Sequence, residues 1–152
     1  MTNKFSIRQV DSSEGIMLVK AFNKLLEQEM IVLLPAFMQE LVTDDGNDDP
    51  VYWEKIRAGK QGFALIAYLD ALPVGMALIQ EHETAHLESL IIDPPFRHQG
   101  LATALIKEAK ERCRQHGYRM MNLNVLVNND KAYACYLKEG FVPYRTNMAV
   151  KL

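Results

Sequence analysis

Apolar positions along this chain recur with two periods, and the places where one gives way to the other mark out its elements. Phe5-Ser6-Ile7-Arg8-Gln9-Val10 alternates as a strand does. Asp11-Ser12-Ser13-Glu14 then reads as a capping box, with Asp11 as N-cap and Glu14 reaching back to it. The next helix carries Met17, Leu18, Phe22, Leu25 and Leu26. A second helical stretch is expected over residues 34–42, a loop over 43–50 and a short helix over 51–58. Residues 63–68 and 74–80 read as strands joined by a turn at Asp70-Ala71-Leu72-Pro73, and residues 85–92 as another. Helical spacing returns over 100–116 through Leu101, Leu105, Ile106 and Ala109. A strand over 120–126, a helix over 130–139 and a last strand or pair of strands within 141–152 complete the chain.

The order β-α-α-β-β-β-α-β-α-β-β predicts an α/β protein with a central mixed, mostly antiparallel sheet and helices on both faces. The 100–116 helix should join two parallel strands, because such a crossover has to cover one face. At 152 residues one domain spanning 1–152 is expected, large enough for a core without metal or disulfide staples. The formal charge of −2 and the lack of a basic cluster argue against a nucleic-acid partner. Cys113 and Cys135 lie in helical patterns without metal-ligand spacing and are expected as reduced structural thiols. With no signal-peptide core and no apolar run long enough to span a bilayer, a soluble, cytoplasmic protein without a membrane partner is expected.

The chemistry concentrates at Asp93-Pro94-Pro95-Phe96-Arg97-His98-Gln99-Gly100-Leu101-Ala102-Thr103, where an apolar strand turns directly into a helix. The first N–H groups of a helix lack intrahelical partners and sit at its positive end, so together they can hold a phosphate. Gly100 and Ala102 allow close approach of backbone to ligand, and Arg97 adds a planar cation. An ordinary strand–turn–helix connection with a solvated arginine accounts for the same residues. His82-Glu83-Thr84-Ala85-His86 matches the H-E-x-x-H zinc peptidase pattern, but that chemistry needs a helix to set both histidines on one face. The flanking runs are short enough for strands, which favours a hairpin turn and no metal. Neither a Walker A loop nor G-x-G-x-x-G occurs.

Arg97-x-x-Gly100-x-Ala102 after Ile91-Ile92-Asp93-Pro94 resembles the acetyl-CoA loop of the GNAT N-acetyltransferase superfamily. Asn129, Ala132, Tyr136 and Gly140-Phe141 come next, in the spacing of that family's second signature. The two motifs cover about a fifth of the chain, roughly residues 87–103 and 128–141.

The resemblance implies an acetyl-CoA-dependent enzyme that moves acetyl directly to a primary amine of a small-molecule or peptide acceptor. It implies that the backbone of Leu90, Ile91 and Ile92 lies beside the acetyl-pantetheine, which enters between splayed strands four and five. The segment Arg97, His98, Gln99, Gly100, Leu101, Ala102 and Thr103 would take the pyrophosphate, and Asn129 would touch the pantetheine arm. Capping of its helix explains Asn129 equally well. Tyr136 would protonate the leaving thiolate, while Tyr133 is expected to be the packing tyrosine. Glu88 would act as base if it shares a strand face with Leu90 and Ile92, with His86 as a second candidate for the same proton path. The acidic loop of Asp44, Asp45, Asp48 and Asp49 could draw in a cationic amine or be a solvated loop. The resemblance also implies a possible homodimer. Two alternatives stay open: a non-catalytic CoA-binding sensor on the same fold, and the zinc peptidase through His82, Glu83 and His86.

Overall fold

Five strands form one sheet in their order along the chain: β1 (Phe5–Gln9), β2 (Gly62–Leu69), β3 (Leu72–Glu81), β4 (Ala85–Ile92) and β5 (Met121–Leu123). The computed structural model describes residues 5–43 and 48–152. The first four strands pair antiparallel. The β4–β5 pair is parallel, since helix α4 (Leu101–Gln115) carries the chain back across one face. The mixed sheet arises from that single crossover.

Strand alternation splits the core in two. Phe63, Leu65, Ala67, Val74, Ala77 and Ile79 face α4, where Leu101, Leu105, Ile106, Ala109 and Cys113 close over them. Ala64, Ile66, Met76 and Leu78 face the other way, toward Ile16 and Val19 of helix α1 (Ser13–Ile31) and Trp53 and Ile56 of helix α3 (Pro50–Ala58). β2 and β3 are covered on both faces, which explains their near-continuous apolar runs. Between α1 and α3 lies a single turn of helix, α2 (Ala36–Gln39), and helix α5 (Asp130–Lys138) comes after β5.

Several expectations from the pattern are corrected. The cap of α1 is Ser12, not Asp11: Ser12 is the extended residue before the helix, and its Oγ accepts from the Gly15 amide at 3.1 Å. Gly15 also lies against Val10, close enough that a Cβ there would fall 2.6 Å from the valine side chain. The helix expected over 34–42 shrinks to α2, because Pro35 restrains the residue before it and offers no side-chain cap. Of the acidic loop, Asp44 and Asp45 lie outside the described residues, whereas Asp49 caps α3 by accepting from the Val51 amide at 3.0 Å.

The strand expected over 120–126 pairs only over Met121–Leu123. No strand forms within 141–152, where residues 142–152 are exposed and carry no regular structure. Among the described residues no helix is long and apolar enough to cross a membrane.

Candidate active site

The site is organised by an irregularity in β4. Leu78 pairs with Ser89 and Ile79 with Leu87, so Glu88 is an extra residue, a bulge that re-aims the rest of the strand. Strict alternation puts Glu88, Leu90 and Ile92 on one face, and that expectation is overturned. After the bulge Leu90 and Ile92 pack with Ala85 and Leu87 on the α4 side, and Ile91 turns to the α1 and α3 side. Ile91 and Ile92 are buried and Leu90 half-buried, so this stretch can offer a ligand mainly its backbone.

The parallel ladder ends just before the same bulge. β4 and β5 pair from Ala85↔Met121 to Leu87↔Leu123 and no further, while β4 runs on to Ile92. Beyond that point their pairing stops.

Glu88 stays with the residues of the first half of β4. Its Oε2 lies 3.3 Å from Nε2 of His86, and the Nδ1 of His86 donates to Oδ1 of Asn122 at 2.6 Å. Asn122 in turn donates to the Thr84 hydroxyl at 3.4 Å, which fixes which end of its amide faces the histidine. Across the hairpin Gln80 pairs with His86 and donates to the Tyr52 hydroxyl of α3 at 3.2 Å. Burial raises the Tyr52 phenol above its usual range, and the nearby Glu88 charge adds to the rise. A polar line therefore crosses three strands, from Tyr52 and Gln80 to His86, whose two ring nitrogens meet Glu88 and Asn122. Tyr52, Gln80 and Asn122 had no motif to announce them. The signal available was register: a turn at residues 82–84 puts Gln80 opposite His86.

The segment after β4 makes one 3-10 turn, Pro94–Phe96, and then enters α4. Arg97 is not a solvated side chain. Its Nε donates to the Ile92 carbonyl and its Nη2 to both Glu29 oxygens, each at 2.8 Å, so it ties this segment to α1. His98 has φ +64 and Gly100 φ +80, two left-handed residues that let the backbone wrap over the helix start. A Cβ at Gly100 would meet nothing within 4 Å, so open space borders the backbone there. Leu101 is 2% exposed and packs into the α4-side core. Ser12, Asp49 and Asn129 each cap their helices with a side chain, but α4 begins without such a cap. Its first intrahelical bond is Ala104 N–H to the Gly100 carbonyl, so the amides of Leu101, Ala102 and Thr103 precede the ladder.

Asn129 caps α5, its Oδ1 accepting from the Ala132 amide at 3.4 Å, while Nδ2 points to Met30 Sδ at 3.6 Å. Tyr136 packs against the α4-side core edge-on to Phe141, with ring centres 5.8 Å apart. Burial, with a smaller contribution from Cys135, pushes its phenol up to about 12. The packing role assigned to Tyr133 is corrected: that ring is exposed, and Tyr136 is the one turned inward.

Burial pushes the Cys113 thiol up to about 12 and raises that of Cys135, so both favour the unreactive thiol. His82, Glu83 and Thr84 form the β3–β4 turn, so the helix that an H-E-x-x-H zinc site requires is absent. His86 is engaged by Asn122 and Glu88, and no group of three or more ligating side chains among the described residues could hold a metal.

Glu88 and Tyr136 thus lie toward opposite faces of the sheet. Residues 27–141 of the chain match the acetyltransferase (GNAT) family. An uncharacterized N-acetyltransferase of Methanocaldococcus jannaschii is 38% identical over 63 residues, which cover 41% of this chain and 28% of that protein. The aminoglycoside N-acetyltransferase AAC(6')-Iy, in complex with a bisubstrate analog, superposes with TM-score 0.73 at 19% identity over 98% of this chain and 99% of its own. A GCN5-related N-acetyltransferase from Ralstonia eutropha JMP134 does so with TM-score 0.72 at 17% identity, over 98% and 99%.

Proposed function

Since the chain belongs to the acetyltransferase (GNAT) family, we propose that it transfers acetyl from acetyl-CoA directly to a primary amine. The observation that carries this reading is the uncapped start of α4 beside the β4 and β5 strands, whose pairing stops at Leu87 and Leu123. The free amides of Leu101, Ala102 and Thr103, reached past Gly100, suit a pyrophosphate. Arg97 shapes that cradle through Glu29 and Ile92, with His98 and Gln99 forming its rim. The pantetheine arm would run past the end of that pairing along the backbone of Leu90, Ile91 and Ile92, with Asn129 near its path.

The sheet also separates the two proton transfers. On the Glu88 side an ammonium ion loses a proton to the carboxylate, directly or through water or His86. The free amine nitrogen then attacks the thioester carbon and gives up its second proton to water, and the C–S bond breaks as the amide forms. On the other side the departing thiolate takes a proton from the Tyr136 phenol, which regains one from water. Holding both reactants in one wedge supplies much of the rate, and backbone donors stabilise the oxyanion. The acceptor is a small-molecule or peptide amine. The aminoglycoside-type ligand of AAC(6')-Iy makes polyamine-like small molecules the first to try.

A panel of such amines, scored by CoA release and by mass of the acetylated product, tests the reading. Turnover with at least one amine is expected. CoA binding without turnover across small amines, peptide N termini and lysine peptides would leave a CoA-binding sensor. A burst of CoA release equal to enzyme, without amine, would replace direct transfer by an acyl-enzyme.

A further inference from the structure

Asn122 of β5 stands beside His86 in the parallel register and meets it with an oxygen. Its Oδ1 lies 2.6 Å from Nδ1 of the imidazole, and its amide nitrogen is turned to the Thr84 hydroxyl at 3.4 Å. A carbonyl oxygen only accepts, so Nδ1 has to carry a proton in the neutral ring as well as in the charged one. The lone pair of the neutral ring then sits on Nε2, the atom 3.3 Å from Oε2 of Glu88. Two acceptors repel there, whereas a proton between them makes a charge-assisted bond. The partner of one ring nitrogen thus decides what the other can do.

The surroundings leave this proton to the pair. Gln80, the cross-strand partner of His86 on β3, and Asn122 on β5 are neutral. Helix α1 meets this face with Leu18, Phe22, Leu25 and Leu26. From α3 the Tyr52 phenol faces Glu88, and burial raises it above its usual range, so it stays protonated at neutral pH. The side chains of His86 and Glu88 are 24% and 45% exposed, so a proton taken up by the pair can return to water.

We propose that Asn122 is a positioning residue that holds His86 in its Nδ1–H form, so that Nε2 takes from Glu88 the proton that Glu88 removes from the acceptor ammonium. This role rests on the acetyl-transfer reading of the same site. One N–H bond of the ammonium breaks, Glu88 is protonated, and the proton moves on to Nε2. The imidazolium that results lies between the Glu88 carboxylate and the Asn122 oxygen. Glu88 is then an anion again while the amine attacks, and the positive charge developing on nitrogen meets a carboxylate. The imidazolium gives its proton to water after the amide leaves. The other neutral form of the ring, with its proton on Nε2, could only donate to Glu88 and would block the transfer.

Nitrogen-15 NMR of the histidine rings tests this without substrate. The chain has four histidines, and the His86 signals are those lost in His86→Gln. In the wild type the neutral His86 ring should show Nδ1 protonated and Nε2 bare, with Nε2 taking up a proton as pH falls. Asn122→Leu should turn that ring to the Nε2–H form and lower kcat/KM at least tenfold, most steeply at low pH. Asn122→Asp also offers an acceptor oxygen, so it should restore the Nδ1–H form and recover most of the rate. A wild-type ring protonated at Nε2 overturns the proposal. So does an Asn122→Leu protein that keeps the Nδ1–H form, or one whose pH–rate profile is unchanged. Should Asn122→Leu fail to fold, the wild-type ring and Asn122→Asp decide. Absence of turnover with every amine would overturn the transfer reading instead, and the ring nitrogens would still decide whether Asn122 positions His86.

Discussion

The Glu88 carboxylate stands 3.3 Å from Nε2 of His86, two residues before it on β4, and Glu88 is the residue that the bulge leaves unpaired. Regular pairing would have seated Glu88 opposite a β3 residue. As the unpaired residue of the bulge it borders both the Tyr52 phenol and the end of the β4–β5 ladder.

Glu88→Gln removes the base and keeps the shape. The expected outcome is a fall in kcat/KM that is steepest at low pH, where free amine is scarcest and a base matters most. His86→Gln should give a smaller fall of the same form if the proton moves through the histidine. A pH–rate profile that Glu88→Gln leaves unchanged in shape would remove the base assignment.

Tyr136→Phe keeps the edge-on contact with Phe141 and deletes the acid. Fold and CoA affinity should barely change, whereas turnover drops by roughly 10²-fold or more, the scale of a positioned general acid. Single-turnover measurements check it, since they isolate chemistry from product release. Near wild-type single-turnover rates would make Tyr136 a packing residue.

The same phenol leaves a mark on stability. Its pKa is raised from 10 in the free side chain to about 12 in the fold. The folded state therefore holds the proton where the unfolded chain has lost it. The resulting stabilisation is complete below pH 10 relative to higher pH, and it is lost as pH rises toward 12. Two pKa units correspond to roughly 2–3 kcal/mol for a group this well buried. Denaturant curves of wild type and Tyr136→Phe should differ in slope against pH in that window, with the wild type falling more steeply. Parallel curves would show that the phenol is not held neutral by burial.

Gly100→Val addresses the helix start. At φ +80 a valine strains the backbone, and a loss of about 1–2 kcal/mol in stability is expected. Its side chain would project into space that is open in this fold. CoA affinity measured by calorimetry should fall more than tenfold, or above about 1.4 kcal/mol. Gly100→Ala shares the strain with less bulk and should lose less affinity. Equal affinity in all three proteins would move the pyrophosphate away from α4.

Residues alone reveal the features that depend on short stretches of chain. The short apolar runs in 63–68 and 74–80 became β2 and β3, and the period of 3.6 after Gly100 became α4. Arg97, Gly100, Asn129 and Tyr136 stand within or beside single turns whose geometry comes from local spacing. The hairpin at His82-Glu83-Thr84 obeys the same rule, since the two flanking runs were too short for helices.

Tertiary pairing decided the rest. The bulge at Glu88 is set by how β3 and β4 fit over two different cores, and no local pattern encodes one extra residue in one strand. That bulge moved Leu90 and Ile92 to the far face from Glu88, and the β4–β5 pairing stops just before it, at Leu87 and Leu123. The contact between Arg97 and Glu29 joins residues far apart in sequence, as does that between Gln80 and Tyr52. Residues 142–152 show the same limit from the other side. Their alternation reads as a strand, but a strand exists only where a neighbour supplies the other half of its hydrogen bonds, and among the described residues 142–152 pair with none.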